Sequence, residues 1–551
     1  IDFMPVGRAL DAGAHDYARL NAPGWLVRRI EGLKGAVEMV VRYRPSRAFA
    51  RLPTELAVED GVVHGAGVPS LFTDLDLKPH GDRASGRFTL YAGDYRDLVL
   101  AEPGLAPGHP PNERVSELFR ITRAFWQEWS AYCRYRGPYR AAVERSALAL
   151  KLLTYAPSGA LVGALTACLP EAQGGPGSRD DRVCRVRSAC AALFVLAALG
   201  YPLEAERFYG YLARASRRSL PRLQARYPIE PGQDSAERVL DHLEGYAGGR
   251  PVRVGNGGHG QAQIGLYGEA LDLALLYEGL GGALGEQDRR WLASCAELVA
   301  HQWQTPDQGP WQIRGVPRQY VHSKLMSWVA ADRARRLFED GEGWGVLADR
   351  IRDEIARAGV DPLRGHLAQA FDGGVDAATL LAPMMGLPTG PQTLAQTVDT
   401  VEHTLAAGDF LSRYAADDGR AAETGACLVS SFWLVDAKLA LGRIAEATAL
   451  FERLLRSVND VGLLAAAIDP WSGALLGNLP SAGAHLALIE TAFNLQLCQR
   501  RGPAHLAGSY ADRARQVAGG VFGRRGLWAR LRRSQRVGRV RSSAASRLAW
   551  P

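Results

Sequence analysis

Residues 426–458, ACLVSSFWLVDAKLALGRIAEATALFERLLRSV, decide the fold class of this chain. Apolar side chains recur at positions i, i+3, i+4 and i+7 on both sides of the tripeptide Leu441-Gly442-Arg443. This is the spacing of one face of an α-helix. The segment therefore predicts two helices, 426–441 and 444–458, which a short turn joins into a hairpin.

The same spacing continues through most of the chain on either side of this hairpin. It predicts further helices at 115–135, 139–153, 189–199, 203–216, 264–277, 286–303, 320–338, 344–358, 394–406 and 483–500, about twelve in all. Short turns alternate with long loops rich in Gly and Pro, at 156–186, 246–261 and 305–318. The pattern predicts stacked helical hairpins, with a functional site where the long loops converge.

In the first part of the chain the apolar side chains follow a different period, that of a β-strand. Residues 37–43 alternate apolar and polar side chains, Asp60-Gly61 is a typical hairpin turn, and residues 87–92 also suit a strand. These signals predict an antiparallel β domain. The stretch 102–112, rich in Pro and Gly, is interpreted as the linker to the helical part.

Composition excludes several classes of protein. Of 551 residues, 47% are hydrophobic and 22% charged, as in ordinary globular proteins, and no apolar run reaches the ~20 residues of a membrane span. The seven cysteines are scattered without a Cys-x-x-Cys pair, which favours neither a disulfide framework nor a zinc site. We expect a reducing, cytoplasmic compartment, with no metal and no cofactor.

The net charge of +7 comes from the C-terminal end. Residues 520–551 contain nine arginines and no acidic residue, so the rest of the chain is slightly acidic. The body therefore lacks the basic surface of a nucleic-acid-binding protein. We expect residues 511–551 to be a disordered tail; alternatively, Leu527, Trp528 and Leu531 form an apolar stripe that binds an anionic surface.

Residues 255–260, Gly-Asn-Gly-Gly-His-Gly, match the glycine pattern of a dinucleotide-binding loop. That loop requires a parallel strand before it and a βαβ unit around it. Here the following helix leads to another helix, so a nucleotide site is not predicted.

Eight segments, spread from residue 1 to beyond residue 470, carry a resemblance to a known family. They are Ile1-Asp2-Phe3-Met4-Pro5, Leu152-Leu153-Thr154-Tyr155-Ala156-Pro157, Leu169-Pro170-Glu171, His242-Leu243-Glu244-Gly245-Tyr246, Arg250-Pro251-Val252-Arg253-Val254-Gly255-Asn256, His322-Ser323-Lys324, Ser431-Phe432-Trp433-Leu434-Val435 and Leu476-Gly477-Asn478. Together they resemble glycoside hydrolase family 15, which includes glucoamylases, glucodextranases and bacterial and archaeal trehalases.

The resemblance implies an (α/α)6 barrel of the six-hairpin glycosidase type, preceded by a β-sandwich. We assign residues 1–112 to a partial sandwich and linker, 113–510 to the barrel and 511–551 to the tail. The family's sandwich begins upstream of the Ile1–Pro5 motif, so we expect native residues before Ile1. The family hydrolyses α-glucosidic bonds with inversion, by one carboxylic acid and one carboxylate base.

Both catalytic carboxylates of the family are replaced in this chain. The acid belongs to a Gly-x-Trp-Glu-x-Arg-Gly motif, but residues 309–315 read Gly-Pro-Trp-Gln-Ile-Arg-Gly, with Gln312 at the acid position. The base belongs to Leu-Ala-Glu-Glu-Ile-Asp-Pro, but residues 464–470 read Leu-Ala-Ala-Ala-Ile-Asp-Pro, with Ala466 at the base position. Glutamine has no acidic proton to give, and alanine has no titratable group.

The family's sugar-binding loop, Asn-Trp-Asp-Tyr-Arg-Tyr-Cys-Trp-x-Arg-Asp, is also altered. Residues 178–188 read Ser-Arg-Asp-Asp-Arg-Val-Cys-Arg-Val-Arg-Ser, so Arg179 and Arg185 replace two tryptophans and Ser188 replaces an aspartate that holds a terminal sugar. Thr424 stands where the family has a glutamate before Gly425. Such scattered losses indicate relaxed selection or a changed role.

Other residues match the family, and the resemblance implies that they bind substrate. They are Tyr155, Arg187, Arg253, Trp311, Arg314, Arg318, His322, Lys324, Arg413 and Tyr414. Alternatively, these side chains only hold loops onto the barrel, an interpretation that is favoured for His322 and Lys324 at a helix start.

Three functions remain open from the sequence. The favoured one is a carbohydrate-binding or regulatory pseudoenzyme, or a very weak hydrolase. The second is an active α-glucoside hydrolase that uses a substitute carboxylate, for which Asp469, Glu423, Asp180 and Asp181 are the candidates. The third is a structural or partner-binding protein. Because Arg179, Arg185 and Arg187 crowd one loop, we also expect a more anionic ligand than a neutral glucan, unless Arg179 and Arg185 point to solvent. The sequence does not predict the oligomeric state.

Overall fold

The computed structural model describes residues 1–13, 15–102, 114–172, 174–175, 179–220, 222–230, 232, 236–255, 257, 261–313, 315–339, 341–415 and 425–517. The chain forms two compact units. The first runs from Ile1 to Ala131 and the second begins at Tyr132.

The first unit is an antiparallel β domain with one helix, α1 (Val115–Ala131). Its strands are β1 (Asp2–Phe3), β2 (Gly7–Arg8), β3 (Leu20–Asn21), β4 (Trp25–Glu31), β5 (Ala36–Tyr43), β6 (Ala57–Glu59), β7 (Val62–His64), β8 (Ser70–Phe72), β9 (Lys78–His80), β10 (Arg83–Tyr91) and β11 (Tyr95–Ala101). One sheet has the order β1-β4-β11-β8-β7-β6, another has the order β5-β10-β9, and β2 pairs with β3.

The predicted strands of this unit are confirmed. Strand β5 pairs with β10 along its whole length, and β6 and β7 form the hairpin predicted from Asp60-Gly61. Alternate side chains of the two larger sheets, including Val63, Leu71 and Ala84, share one apolar core. Helix α1 packs on the six-stranded sheet through a second cluster that includes Leu118.

The second unit is a six-hairpin helical barrel. Within its described part, the inner members contact one another in a closed ring. They are α3 (Ala189–Leu199), α5 (Gly265–Gly279), α7 (Val321–Leu337), a 3₁₀ turn (Ala377–Leu381) that continues into α9 (Ala382–Met385), α11 (Leu428–Ala440) and α13 (Ala482–Arg501). The outer helices pack against them, as α2 (Arg140–Leu152), α4 (Pro202–Arg218), α6 (Glu286–Gln302), α8 (Gly341–Ala358), α10 (Pro391–Leu405) and α12 (Ile444–Leu454).

Residue chemistry separates the two layers. Inner helix α3 is almost entirely apolar and is buried on all sides, whereas outer helix α12 buries one stripe that includes Leu450 and Leu454. An amphipathic stripe suits a helix with one solvent face, and an all-round apolar surface suits a central helix. In the part of the chain that the structure describes, no helix is both long and apolar enough to cross a membrane.

A long loop precedes each inner member, so these loops lie together at the N-terminal end of the inner ring. Short antiparallel strands connect the loops: β12 (Thr154–Tyr155), β13 (Ala160–Leu161), β14 (Cys184–Arg185), β15 (Arg226–Tyr227), β16 (Arg238–Val239), β17 (Arg253–Val254), β18 (Val375–Asp376), β19 (Ala406–Ala407), β20 (Phe410–Leu411), β21 (Tyr414–Ala415), β22 (Ala426–Cys427), β23 (Ala467–Ile468) and β24 (Leu475–Leu476).

Three helical features differ from the sequence predictions. Helix α1 belongs to the first unit and not to the barrel. The inner member at 377–385 was not predicted. Helix α14 (Tyr510–Val517) packs against α3 and α5, so residues 511–517 are helical although the tail was expected to begin at 511. The reason is Arg513, which is fully buried and pairs with Glu490 at 3.2 Å. The remaining tail, 518–551, lies outside the described residues.

Candidate active site

Gln312, which the sequence predicts to stand at the family's acid position, lies in the loop that precedes α7. Its backbone has a positive φ of 58°. Its side-chain Oε1 accepts a hydrogen bond from Nη2 of Arg226 at 3.0 Å, and its backbone carbonyl accepts one from Gln261 at 3.3 Å. The amide is therefore held in place by a guanidinium group from a neighbouring loop.

Arg226 is itself fixed by a buried carboxylate. Nη1 of Arg226 lies 2.9 Å from Oδ1 of Asp181, and the same oxygen accepts a hydrogen bond from Nη2 of Arg185. Burial raises the pKa of Asp181, but the charges of Arg185 and Arg226 outweigh burial and hold this pKa far below its usual value. Burial, together with the charge of Arg185, lowers the pKa of Arg226 to about 9.

Ala466, which the sequence predicts to stand at the base position, is half-buried directly before β23. It lies beside Gly477: a Cβ on this glycine would be 3.4 Å from Cβ of Ala466 and 3.1 Å from Cγ of Glu171. Glu171 is thus a carboxylate close to the methyl group of Ala466.

Glu171 is 4% exposed and is bound by arginine. Its Oε2 lies 2.8 Å from Nη1 of Arg413 and 4.0 Å from Nη2 of Arg179. Burial raises the pKa of Glu171, but the charges of Arg413 and then Arg179 keep it below the usual value. Glu171 is therefore ionised and already paired.

Two tryptophans form an aromatic wall next to this charge. The rings of Trp311 and Trp433 are 5.8 Å apart and inclined by 38°, and the guanidinium of Arg413 lies 5.9 Å from the Trp311 ring. Nε1 of Trp311 donates to Asp376 at 2.8 Å. Burial raises the pKa of Asp376 to about 6.

We call these connected residues the loop-end cluster: Glu171, Arg179, Asp181, Arg185, Arg226, Trp311, Gln312, Arg413 and Trp433. Arg226 was not predicted from the sequence, since it belongs to no quoted motif. Glu171 was quoted only as part of a motif. The arginine substitutions at 179 and 185 were the one sequence signal that pointed to this concentration of charge.

Arg187 and His322 lie together below the loops. Nη2 of Arg187 donates to Gln263 at 2.7 Å, and its Nε and Nη1 are buried with no hydrogen-bond partner among the described residues. Burial and the charge of Arg187 lower the pKa of His322 to about 3, so this imidazole is neutral. Ser188 lines a cavity of about 20 Å³ beside Arg185, which is room for about one water molecule.

Several predicted binding residues lie outside the cluster and contact loop residues. Arg318 forms an ion pair with Asp372 and donates to Gln369. Lys324, which is 1% exposed, donates to the backbone carbonyls of Trp303 and Thr305.

Of the other predicted binding residues, Arg253 and Tyr155 also lie apart from the cluster, whereas Tyr414 follows Arg413 in the chain and interacts with its charge. Arg253 lies 3.5 Å from Glu237, and Tyr414 lies in β21, which pairs with β18. Tyr155 donates to Glu230 and lines a separate cleft of about 730 Å³. Arg314 lies outside the described residues.

The proposed substitute carboxylates have other partners. Asp180 forms an ion pair with Arg182 and accepts a hydrogen bond from the backbone amide of Gly255. Asp469 lies in an exposed turn, where it accepts from Ser472. Asp181 is shared by Arg185 and Arg226, as described above. Glu423 and Thr424 lie outside the described residues.

Gly255 and Gly257, the described residues of the glycine-rich stretch 255–260, do not lie in the βαβ surroundings of a dinucleotide-binding loop. Strand β17, which precedes it, is antiparallel to β16, and the amides of Gly255 and Gly257 donate to the carboxylates of Asp180 and Glu237. Within the described residues, no group of three His, Cys, Asp or Glu side chains is placed to bind a metal ion.

Comparison with known proteins identifies the family. Residues 137–493 match the family model of glycosyl hydrolases family 15. The chain is 30% identical to a trehalase of Thermoplasma acidophilum over 90% of this chain and 85% of that protein. It is 33% identical to a trehalase of Mycolicibacterium smegmatis, over 84% of this chain and 73% of that protein.

Solved structures agree on the fold. A bacterial glucoamylase crystallised with acarbose superposes with a TM-score of 0.61 at 13% identity, over 90% of this chain and 82% of that one. A glycosidase variant in complex with glucose gives 0.50 at 18% identity, over 65% of this chain and 96% of that one. With the family model matching most of the barrel, the conclusion is that this chain belongs to glycosyl hydrolases family 15.

Proposed function

We propose that this chain is a sugar-binding member of family 15 that has lost hydrolysis or retains only a trace of it. The observation that carries the proposal is the environment of Gln312, whose amide accepts a hydrogen bond from Arg226 at 3.0 Å. An inverting hydrolase needs a proton donor at this place and a carboxylate on the opposite side of the bond.

The acid step is blocked in two ways. An amide has no proton of suitable acidity for the leaving oxygen. The arginine beside it would also oppose acid catalysis by a carboxyl group, because a nearby positive charge stabilises the carboxylate, whereas a general acid needs a raised pKa. The environment of residue 312 therefore suits a neutral hydrogen-bond acceptor and does not suit a general acid.

The base step lacks its usual group as well. Ala466 has only a methyl group, and the neighbouring Glu171 is paired with Arg413 at 2.8 Å. A general base must reach the attacking water in a defined geometry, and an error of ~1 Å can cost ~100-fold in rate. The loss of both groups favours a binding role.

Sugar binding is supported by the aromatic wall and by the relatives. Trp311 and Trp433 offer ring faces next to Arg413, and such a combination suits the apolar faces and hydroxyl groups of a sugar. The relatives described above are trehalases. We therefore propose α-linked glucosides such as trehalose or maltose as the ligand class.

The second candidate is a weak hydrolase in which Glu171 replaces the missing base. It is favoured by the position of Glu171 beside Gly477 and Ala466. This candidate requires activity that disappears in Glu171→Gln, whereas the proposed function predicts no activity in either protein.

Titration calorimetry with trehalose, maltose and isomaltose, paired with a glucose-release assay, tests the proposal. We expect binding without glucose release. Trp433→Ala should abolish the binding, and the control Trp471→Ala, at a residue that is 86% exposed, should leave it unchanged. Glucose release would support the second candidate, and neither binding nor release would support a structural role.

We also propose that the protein works in the cytoplasm. All seven cysteines are free thiols, and six of them are buried. Disulfides are rare in the reducing cytoplasm.

A further inference from the structure

The loop-end cluster contains more positive than negative charge. Its ionised groups are four arginines and two carboxylates: Arg179, Arg185, Arg226, Arg413, Glu171 and Asp181. Asp376, which binds Trp311, adds one negative charge when it is ionised, so at least one positive charge is not balanced among the described residues of the cluster and Asp376. Unbalanced charge in a partly buried site is costly unless a ligand or solvent compensates it.

Both carboxylates of the cluster already form ion pairs with arginines. Asp181 lies between Arg185 and Arg226, and Glu171 is bound closely by Arg413, at 2.8 Å. Nη2 of Arg179 lies 4.0 Å from the same oxygen of Glu171, Oε2, which is too long for a hydrogen bond. Arg179 is therefore the least satisfied cation of the cluster.

Arg185 is only partly paired, and a ligand can reach the exposed part of its side chain but not the buried Nε. Its Nη2 binds Asp181, but its Nε is buried and has no hydrogen-bond partner among the described residues. The side chains of Arg179 and Arg185 are 32% and 35% exposed, so a solute can reach both. Burial and the neighbouring Arg185 lower the pKa of Arg226, which is the effect expected of crowded positive charge.

We propose that this cluster binds an anionic sugar, a glycoside whose phosphate or carboxylate group is held by Arg179 and Arg185. The inference rests on the sugar-binding function proposed above and names its ligand class. Guanidinium groups bind phosphate and carboxylate through paired hydrogen bonds, which a neutral hydroxyl group does not match.

The aromatic wall explains why the ligand is a sugar and not a free anion. Trp311 lies next to Arg413 and connects the wall to the charged part of the cluster. A sugar ring can lie against Trp311 and Trp433 while its anionic group faces the arginines. Two arginines that replace tryptophans thus change the charge preference of the site without removing its aromatic side.

Titration calorimetry with matched pairs of ligands tests this inference. The pairs are glucose with glucose 6-phosphate, trehalose with trehalose 6-phosphate, and glucose with glucuronic acid; inorganic phosphate is measured alone. We expect the anionic member of at least one pair to bind at least about tenfold more tightly. The phosphate and carboxylate arms distinguish the two sources of negative charge.

The variant Arg179→Gln/Arg185→Gln should lose this preference and bind the anionic and neutral members within about threefold of each other. Arg290→Gln removes one positive charge from an exposed position on α6 and should keep the preference. If the double variant does not fold, Arg179→Gln alone is the second test, because its only ion pair in the cluster is the 4.0 Å contact with Glu171.

Each outcome decides a separate point. Equal or tighter binding of the neutral sugars would overturn the anionic ligand and leave the proposed function intact. Inorganic phosphate that binds as tightly as the sugar phosphates would overturn the sugar class. No binding of any sugar would overturn the proposed function, and glucose release with a retained anionic preference would overturn only the loss of hydrolysis.

Discussion

Introducing carboxylates at positions 312 and 466 should not give an efficient hydrolase while Arg226 is present. In the variant Gln312→Glu/Ala466→Glu, the new acid would stand at the position where Oε1 of Gln312 is 3.0 Å from Nη2 of Arg226. A positive charge at this distance lowers a carboxyl pKa by about 1–3 units from about 4.3. About 2% or less of the new acid would then hold its proton at pH 5.

A working general acid has its pKa raised to about 6, so most of it is protonated at pH 5. The double variant should therefore remain at least about 50-fold less active than an intact relative, by this effect alone. Adding Arg226→Met removes the opposing charge, and glucose release should then rise at least about tenfold. Arg182→Met removes an arginine from the loop that carries Asp181, where Arg182 pairs with Asp180, and should give no such gain.

The assay is glucose release from trehalose between pH 4 and pH 8, with the Thermoplasma acidophilum trehalase measured in parallel. Melting temperatures show whether each variant is folded. A double variant within tenfold of the relative, with no further gain from Arg226→Met, would refute the role given to Arg226.

Three further predictions concern stability. Lys324→Met should lower the melting temperature by several degrees, since the buried carbonyl of Trp303 and the partly buried carbonyl of Thr305 lose their donor at a cost of about 1–3 kcal/mol, whereas Lys78→Met at an exposed site should not. An altered sugar affinity without a change in melting temperature would point to a binding role for Lys324. Ending the chain at residue 519 should change the melting temperature by less than about 2 °C. Ending the chain at residue 509 removes the buried Arg513 and should lower the melting temperature clearly. Equal effects of the two truncations would contradict the separation of a packed helix α14 from the remaining tail. Burial raises the pKa of Asp436 to about 8, so the folded protein holds a proton that the unfolded protein releases near pH 4. The free energy of unfolding should therefore fall as the pH rises from about 4 to 8. Asp436→Asn should reduce that fall, and an unchanged pH profile would show that Asp436 does not cause it.

Regular periodicity made most of the fold predictable. The β hairpin at Asp60-Gly61 and the helical hairpin around Gly442 are local patterns, so the sequence predicts them directly. The inner member at 377–385 was missed because it is short, uniformly apolar and contains Pro383, which leaves no helical period to detect. Helix α14 was assigned to the tail because the partner of Arg513, Glu490, is distant in sequence.

The candidate site was only partly predictable for the same reason. The residues at 312 and 466 follow from motif spacing, but the bond between Gln312 and Arg226 joins loops that are far apart in the chain. The alternative that Arg185 points to solvent differs from the structure, in which the buried carboxylate of Asp181 binds it. Ion pairs and hydrogen bonds of this kind depend on which loops lie next to each other in the fold, and local sequence patterns do not predict these contacts.

The most direct test of the account is a proton NMR time course of the protein with α,α-trehalose and with its 6-phosphate. Line broadening of the sugar signals reports binding, and the anomeric signals of free glucose report hydrolysis, in the same spectra. The account predicts broadening with at least one of the two sugars and no free glucose above the protein-free control. Free glucose at a rate within tenfold of the Thermoplasma acidophilum trehalase, or sharp sugar lines throughout, would contradict it.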